Sequence, residues 1–255
     1  TVERPYIIGD MVWTGLDYLG ESAIGLWHYE NEPRVEHWQA EHFPYHGAYC
    51  GDVDLTGWRK PISHYRDMLW NVEEGAADVY LAVREPDYYV NGHVTETLWS
   101  VWPTWESWNW HGWEGKDIEA EIYTKAPKVR LYLNDKLIAE RDVNIDTQYK
   151  AVIKLPYQPG TLKAVSVDAN GKEMAESTLC TSSEPAIIRL SPDRKLINAD
   201  SQDLAFINVD VLDKDGNIVS DADIPLTVSV KGRATLLAAA SANLKDLEPK
   251  TSPKV

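Results

Sequence analysis

The chain has 255 residues, enough for one large domain or two to three small ones. Its 25 basic and 40 acidic residues leave a formal charge of −15, a surface that repels nucleic acid and anionic membranes and sets both aside as partners. No apolar run is long enough to span a bilayer, and no signal-peptide pattern opens the sequence, an absence that carries no information in a fragment.

The first predicted element is Ile7 to Trp13, mostly apolar, which reads as a strand buried on both faces in a parallel sheet. It runs into T-G-L-D-Y-L-G-E, so an indole, two carboxylates and two glycines crowd the strand's carboxyl end, where α/β folds place functional groups. A flat indole there can stack on the apolar face of a sugar while carboxylates bind its hydroxyls. A long loop follows, from Glu21 to about Lys60; loops of that length are functional or disordered, and Trp27, Tyr29, Trp38, Phe43, Tyr45 and Tyr49 speak against disorder. Pro61 opens a predicted helix through Asn71, with Ile62, Tyr65, Leu69 and Trp70 near one face, and Asp78–Val83 reads as a strand. Residues 1–86 form the first predicted segment.

Residues 87–183 alternate with period two at Ile118–Tyr123, Val129–Leu133, Ala151–Leu155 and Leu162–Val167. Asn134-Asp135, Pro159-Gly160 and Asn170-Gly171 are the turns between them, which predicts a small antiparallel β-sandwich. Residues 184–255 carry predicted strands at Ala186–Leu190, Leu204–Leu212 and Leu226–Val230. The turn Asp213–Asn217 is too short for a calcium loop and reads as a hairpin. About 70 residues hold fewer strands than a constant-type immunoglobulin sandwich needs, so this last domain reads as truncated. Cys50 and Cys180 fall in different predicted domains and are expected to be unpaired.

V-W-T-G-L-D-Y-L-G-E-S followed by A-Y-C-G-D-V-D-L-T-G-W-R-K-P-I-S-H-Y resembles the end of the catalytic barrel in glycoside hydrolase family 2, in particular its β-galactosidase-like branch of Bacteroidetes type. W-P-T-W-E-S-W-N-W with V-R-L-Y-L-N-D-K resembles the β domain after that barrel, and L-S-P-D-R-K with V-D-V-L-D-K-D-G-N-I-V the immunoglobulin-like domain beyond it. The resemblance implies a mixed fold: the last βα unit of a TIM (β/α)8 barrel, then two immunoglobulin-like β-sandwich domains, divided at 1–86, 87–183 and 184–255.

It also implies a retaining exo-β-glycosidase parent, most naturally a β-galactosidase acting on terminal β-galactosides or oligosaccharides, with a periplasmic or secreted location. The two carboxylates such an enzyme needs, about 5–5.5 Å apart, come in the family from the fourth and seventh barrel strands, which places them upstream of Thr1. No catalytic residue is therefore assigned, the isolated chain is expected to be inactive, and the remainder of the parent polypeptide is its expected partner. Trp13 matches the family Trp that lines the subsite of the cleaved sugar; Asp17 and Glu21 are the accompanying substrate-binding candidates. Asp17 and Glu21 as the catalytic pair themselves are disfavoured, because nothing in the sequence separates their environments into acid and nucleophile. The alternatives are a family 2 β-glucuronidase or β-mannosidase, or a non-catalytic carbohydrate-binding module; the acidic balance disfavours an anionic substrate.

Two other stretches invite function. Trp99, Trp102, Trp105, Trp108, Trp110 and Trp113 read either as an aromatic platform for sugar or, preferred here, as a seam docking the β domain onto the barrel. His37, His42 and His46 with Glu36 and Glu41 could suggest a metal, but Pro44 breaks the helix that the His42/His46 spacing requires. Some family members hold magnesium or sodium near the site; no ligand set is matched here, and neither a metal nor a cofactor is expected.

Overall fold

The apolar run at the start does not form the strand its composition predicts. In the computed structural model, which describes residues 4–9, 11–32 and 43–254, residues 6–9 and 11–13 are irregular, and Ile8 (104%) and Met11 (95%) are fully exposed. The physical reason is a missing ladder: a strand exists by hydrogen bonding to a neighbour, and none of the described strands runs beside this segment.

In chain order the early elements are β1 (Tyr18–Leu19), β2 (His28–Tyr29), β3 (Gly47–Ala48), α1 (Pro61–Asn71), β4 (Val79–Arg84), β5 (Val94–Thr95) and β6 (Thr104–Trp105). Eight further strands follow: β7 (Asp117–Thr124), β8 (Lys128–Leu133), β9 (Lys136–Asp142), β10 (Lys150–Pro156), β11 (Thr161–Val167), β12 (Glu173–Cys180), β13 (Pro185–Pro192) and β14 (Ile207–Asp213). The described chain is thus mostly β with one short helix. Its packing falls into two units, one within residues 4–63, 90–102 and 227–254, the other comprising 64–89 and 103–226.

The second unit is a sandwich of two four-stranded antiparallel sheets, ordered β10-β7-β4-β6 and β12-β11-β8-β9. Alternation puts Ile118, Ala120, Ile122, Ile153 and Leu155 of one sheet against Val129, Leu131, Leu133, Leu162 and Ala164 of the other, all buried in one core. Asn134 and Asp135, at φ 50° and 62°, make the two-residue turn expected between β8 and β9. Strand β4, predicted as the tail of the first segment, is an inner strand of the sandwich, paired with β7 from Val79 to Arg84. The edge strands β9 and β12 were not predicted, because their sequences K-L-I-A-E-R-D and E-M-A-E-S-T-L-C lack clean alternation.

Two of the six tryptophans, Trp108 and Trp110, depart from the seam reading. Trp108 and Trp110 lie inside the sandwich core, 1% and 4% exposed. Each indole N–H is satisfied within the unit, Trp108 by the Gln158 carbonyl at 3.0 Å and Trp110 by that of Ser107 at 3.3 Å. Residues of one sandwich core serve neither as a sugar platform nor as an external seam. Trp105 and Trp113 are partly buried against the same core.

Helix α1 begins on Pro61, whose missing N–H costs nothing in the first turn. Lys125 closes its other end, with Nζ 2.8 Å from the Leu69 carbonyl and 2.6 Å from that of Val72. Strands β13 and β14 pair as a separate two-stranded sheet, and the predicted Asp213–Asn217 turn follows β14, carrying the chain back to a bridge between Leu212 and Ile218. Strand β14 starts at Ile207 rather than Leu204; just before it, the Asp193 carboxylate accepts from the Phe206 amide at 2.9 Å and the Asp193 amide donates to the Phe206 carbonyl at 2.9 Å. The strand expected at Leu226–Val230 reduces to a bridge between Thr227 and Lys254. Cys50 and Cys180 are free thiols. Among the described residues no helix is long and apolar enough to cross a membrane.

A charged knot on the first sheet gives this unit an acid limit. Glu121 is buried and meets Lys150 Nζ at 2.7 Å, the Arg84 guanidinium and the Tyr123 hydroxyl. Burial pushes its carboxyl up, but Lys150 and Arg84 more than offset this, so it titrates below the ordinary value of 4.5. A depressed folded-state pKa contributes stability that is present above the unfolded value and is lost as pH falls through the folded one. The unfolding free energy of Glu121→Gln is therefore expected to fall less steeply than that of the parent sequence below pH 4.5. Urea titrations at pH 7 and pH 3 measure this; equal slopes would remove Glu121 from the account.

Candidate functional site: an exposed aromatic and carboxylate array

The first unit holds all three predicted site residues and divides them. Residues 14–17 run beside 50–53: the Thr14 amide donates to the Cys50 carbonyl at 3.2 Å, Asp52 returns to Thr14 at 3.1 Å, Val53 to Gly15 at 3.0 Å, and Asp17 to Val53 at 2.8 Å. The chain then turns into β1, which pairs antiparallel with β3, Tyr18 opposite Ala48 and Leu19 opposite Gly47. With side chains alternating along this extended stretch, Asp17 points in and Tyr18 stands nearer solvent.

Asp17 is committed inside the loop. Its side chain is 1% exposed, and Oδ1 accepts from the Gly51 amide at 2.8 Å and from Lys60 Nζ at 2.7 Å. Lys60, 6% exposed, also donates to the Tyr49 carbonyl at 2.9 Å and sits 3.3 Å from the centre of the Tyr49 ring. Glycine is required at 51, since a Cβ there would come within 2.2 Å of the Asp17 nitrogen. Burial pushes the Asp17 carboxyl up and the Lys60 ammonium down, in each case against the pull of the partner. The pair thus organises the loop wall from inside.

Trp13 and Glu21 face outward and are joined by a residue the sequence reading did not single out. The Trp13 indole, 65% exposed, donates from Nε1 to the Tyr18 hydroxyl at 3.3 Å and meets that ring edge-on, with centroids 6.5 Å apart. The Tyr18 hydroxyl in turn donates to Glu21 Oε2. Burial and the Glu21 bond push the phenol up to about 12, so it stays a neutral donor across ordinary pH. The result is an indole, a phenol and a carboxylate fixed relative to one another on an exposed edge. That set offers one apolar stacking face and acceptors for hydroxyl groups. Tyr18 was legible only as the residue beside Asp17 in D-Y-L; Lys60, 43 residues from Asp17, gave no local signal.

Of the histidine-rich loop, His37 and His42, with Glu36 and Glu41, lie outside the described residues. His46 places Nδ1 3.0 Å from the Pro44 carbonyl. Among the described residues no three His, Cys, Asp or Glu side chains are grouped to hold a metal ion.

Comparison with known proteins bears on both units. Residues 188–255 match the glycoside hydrolase family 2 C-terminal domain 5, and residues 115–175 match a domain of unknown function, DUF4982. The β-galactosidase BoGH2A of Bacteroides ovatus is 29% identical over 247 residues, covering 96% of this chain and 24% of the relative. A β-galactosidase of Thermoanaerobacter pseudethanolicus is 28% identical over 130 residues, 46% of this chain and 18% of the relative. A solved glycosyl hydrolase family 2 member from Bacteroides cellulosilyticus matches all of this chain and 32% of its own, at 30% identity and TM-score 0.86. A β-glycosidase from Bacteroides vulgatus, at 22% identity and TM-score 0.75 over 99% of this chain and 26% of its own, shares the fold. The chain therefore spans a quarter to a third of the length of the first relatives on each side.

Proposed function

From a chain that corresponds to the C-terminal part of glycoside hydrolase family 2 enzymes, we propose that its parent is a retaining exo-β-glycosidase, specifically a β-galactosidase, and that this chain supplies one wall of the sugar subsite. The observation that carries the reading is the Trp13–Tyr18–Glu21 array: an exposed indole tied through one hydroxyl to a carboxylate. Stacking plus hydroxyl capture is the chemistry by which a pyranose ring is held.

The exposed apolar run supports the same reading. Ile7, Ile8, Met11 and Val12 have the composition of a strand buried on both faces, yet stand in solvent. Other barrel strands of the parent would cover them and make this the eighth strand, followed by the loop and α1. The sandwich and the strands from Pro185 onward are then accessory β domains. The names of two β-galactosidase relatives favour galactose, and the net charge of −15 opposes a uronic acid.

In this reading Trp13 stacks on the sugar, Glu21 accepts from its hydroxyls, and Asp17 positions the strand end through Lys60 rather than touching substrate. The acid/base and nucleophile are supplied by parts of the parent outside this chain. The test is hydrolysis of nitrophenyl β-galactoside, β-glucuronide and β-mannoside by this chain and by the parent. The chain alone is expected to give no turnover and the parent to prefer the galactoside. Turnover by the chain alone would place a catalytic pair within its own residues and sink the reading; preference for another glycoside would move the parent to that sugar.

A further inference from the structure

One buried leucine in the first unit lies far from the array in sequence and directly behind it in space. Residues 239–254 form a small self-tied lobe: the Ala239 amide donates to the Lys250 carbonyl at 2.8 Å, and Lys250 Nζ meets Asp246 Oδ2 at 3.1 Å. At its tip, Asn243 Oδ1 accepts from the Lys245 amide at 2.9 Å and the Asn243 carbonyl from the Asp246 amide at 3.1 Å. This turn projects Leu244, 4% exposed in a lobe whose flanking side chains are mostly in solvent.

Leu244 seats on β3. Its Cδ2 stands 2.8 Å from the point a Cβ on Gly47 would occupy, so glycine there leaves the room the leucine fills. Its carbonyl accepts from the His46 amide at 3.2 Å. Beside it, Lys245 Nζ lies 4.5 Å from the centre of the Tyr45 ring. The segment held in this way, Tyr45–Ala48, is the one that fixes the array. The Tyr45 carbonyl accepts from Ser22 Oγ at 2.9 Å, the His46 carbonyl from the Gly20 amide at 2.9 Å, and the Gly47 carbonyl from the Ala23 amide at 2.9 Å, while Ala48 pairs with Tyr18. The backbone bonds of Gly20 and Ala23, on either side of Glu21, and the pairing of Tyr18 with Ala48 thus run to a segment braced from behind by Leu244.

We propose that Leu244 is a positioning residue for the sugar subsite, bracing β3 so that β1 holds Tyr18 and Glu21 against Trp13. The proposal rests on the reading of the array as the sugar wall. It gives the C-terminal lobe a role in substrate affinity without any contact to substrate, since a shift of about 1 Å in a binding group is costly.

The test uses the parent polypeptide with nitrophenyl β-galactoside, and hydrogen exchange at the Gly20 and Ala23 amides. Leu244→Ala is expected to raise KM roughly tenfold with kcat within about twofold, and to speed exchange at both amides roughly tenfold. Leu244→Met, which keeps the volume, is expected to stay near the parent on both readouts, and Leu244→Val to fall between, which separates bracing from gross loss of fold. If Trp13→Ala raises KM and Leu244→Ala does not, the array reading stands and the positioning role is overturned. If Leu244→Ala speeds exchange but neither variant moves KM, the array reading fails and takes the affinity role with it. Unchanged exchange in Leu244→Ala overturns the bracing itself.

Discussion

Replacing Lys60 by methionine is expected to destabilise the first unit by about 3–5 kcal/mol, the usual result of leaving one member of a buried ion pair without its partner. The carboxylate left behind belongs to Asp17, whose side chain is 1% exposed and whose Oδ1 would keep only the Gly51 amide. The loss follows from isolation of the charge and not from a large net gain in the pair. Burial pushes Asp17 up and Lys60 down, so for each group desolvation outweighs its partner. An acid with a raised folded pKa is most favourable to folding below its unfolded value and loses that contribution as pH rises through the folded one. The Lys60→Met penalty should therefore be full at neutral pH and shrink as pH falls toward the ordinary aspartate value of 3.8.

The double variant Asp17→Asn, Lys60→Met decides the mechanism. Asn keeps an acceptor for the Gly51 amide and carries no charge, so the pair should recover most of the lost stability, as buried ion pairs commonly do when replaced together. Urea-dependent hydrogen exchange at the Asp17 and Val53 amides reads the unit directly, because both donate across the 14–17 and 50–53 pairing. A single-variant cost under about 1 kcal/mol, the range of an exposed pair, would mean Lys60 is not holding a buried charge.

How much of this was legible depended on where the partners of each residue lie. The sandwich was readable because its information is local: alternation at Ile118–Tyr123, Val129–Leu133, Ala151–Leu155 and Leu162–Val167 sets register through turns such as Asn134-Asp135. Strand β4 was found but assigned to the wrong neighbour, since nothing in V-Y-L-A-V-R says it will pair with β7. The tryptophan run was read as one seam because each indole has a large apolar area and one N–H to satisfy, but Trp108 and Trp110 use both inside the sandwich core. Ile7–Trp13 was read as a strand from composition, but a strand's partners are not written in its own sequence. The same limit hid Lys60 from Asp17 and Leu244 from Gly47, contacts that bridge 43 residues and about three quarters of the chain. Trp13 and Glu21 were visible because they sit at one motif's end; their connection through Tyr18 was not, since it depends on a side-chain hydrogen bond and not on spacing.

Trp13→Ala in the parent is expected to lower kcat/KM toward nitrophenyl β-galactoside by roughly thirtyfold, the equivalent of about 2 kcal/mol, which is the threshold for an aromatic anchor of a binding site. The indole is 65% exposed and already oriented by its bond to Tyr18, so no reorganisation offsets its loss. How the effect divides is informative. A platform that holds substrate and transition state equally raises KM alone, whereas one that strengthens as the ring flattens toward an oxocarbenium ion lowers kcat as well. Trp13→Phe keeps an aromatic face but not the N–H donor, and Tyr18→Phe keeps the face and breaks the link to Glu21. Each should cost about 1 kcal/mol, the worth of one hydrogen bond, or roughly fivefold. If Trp13→Ala leaves kcat/KM within twofold while Glu21→Gln lowers it, the wall binds through its carboxylate and the stacking role is lost. If neither variant changes the rate, the array faces something other than the cleaved sugar.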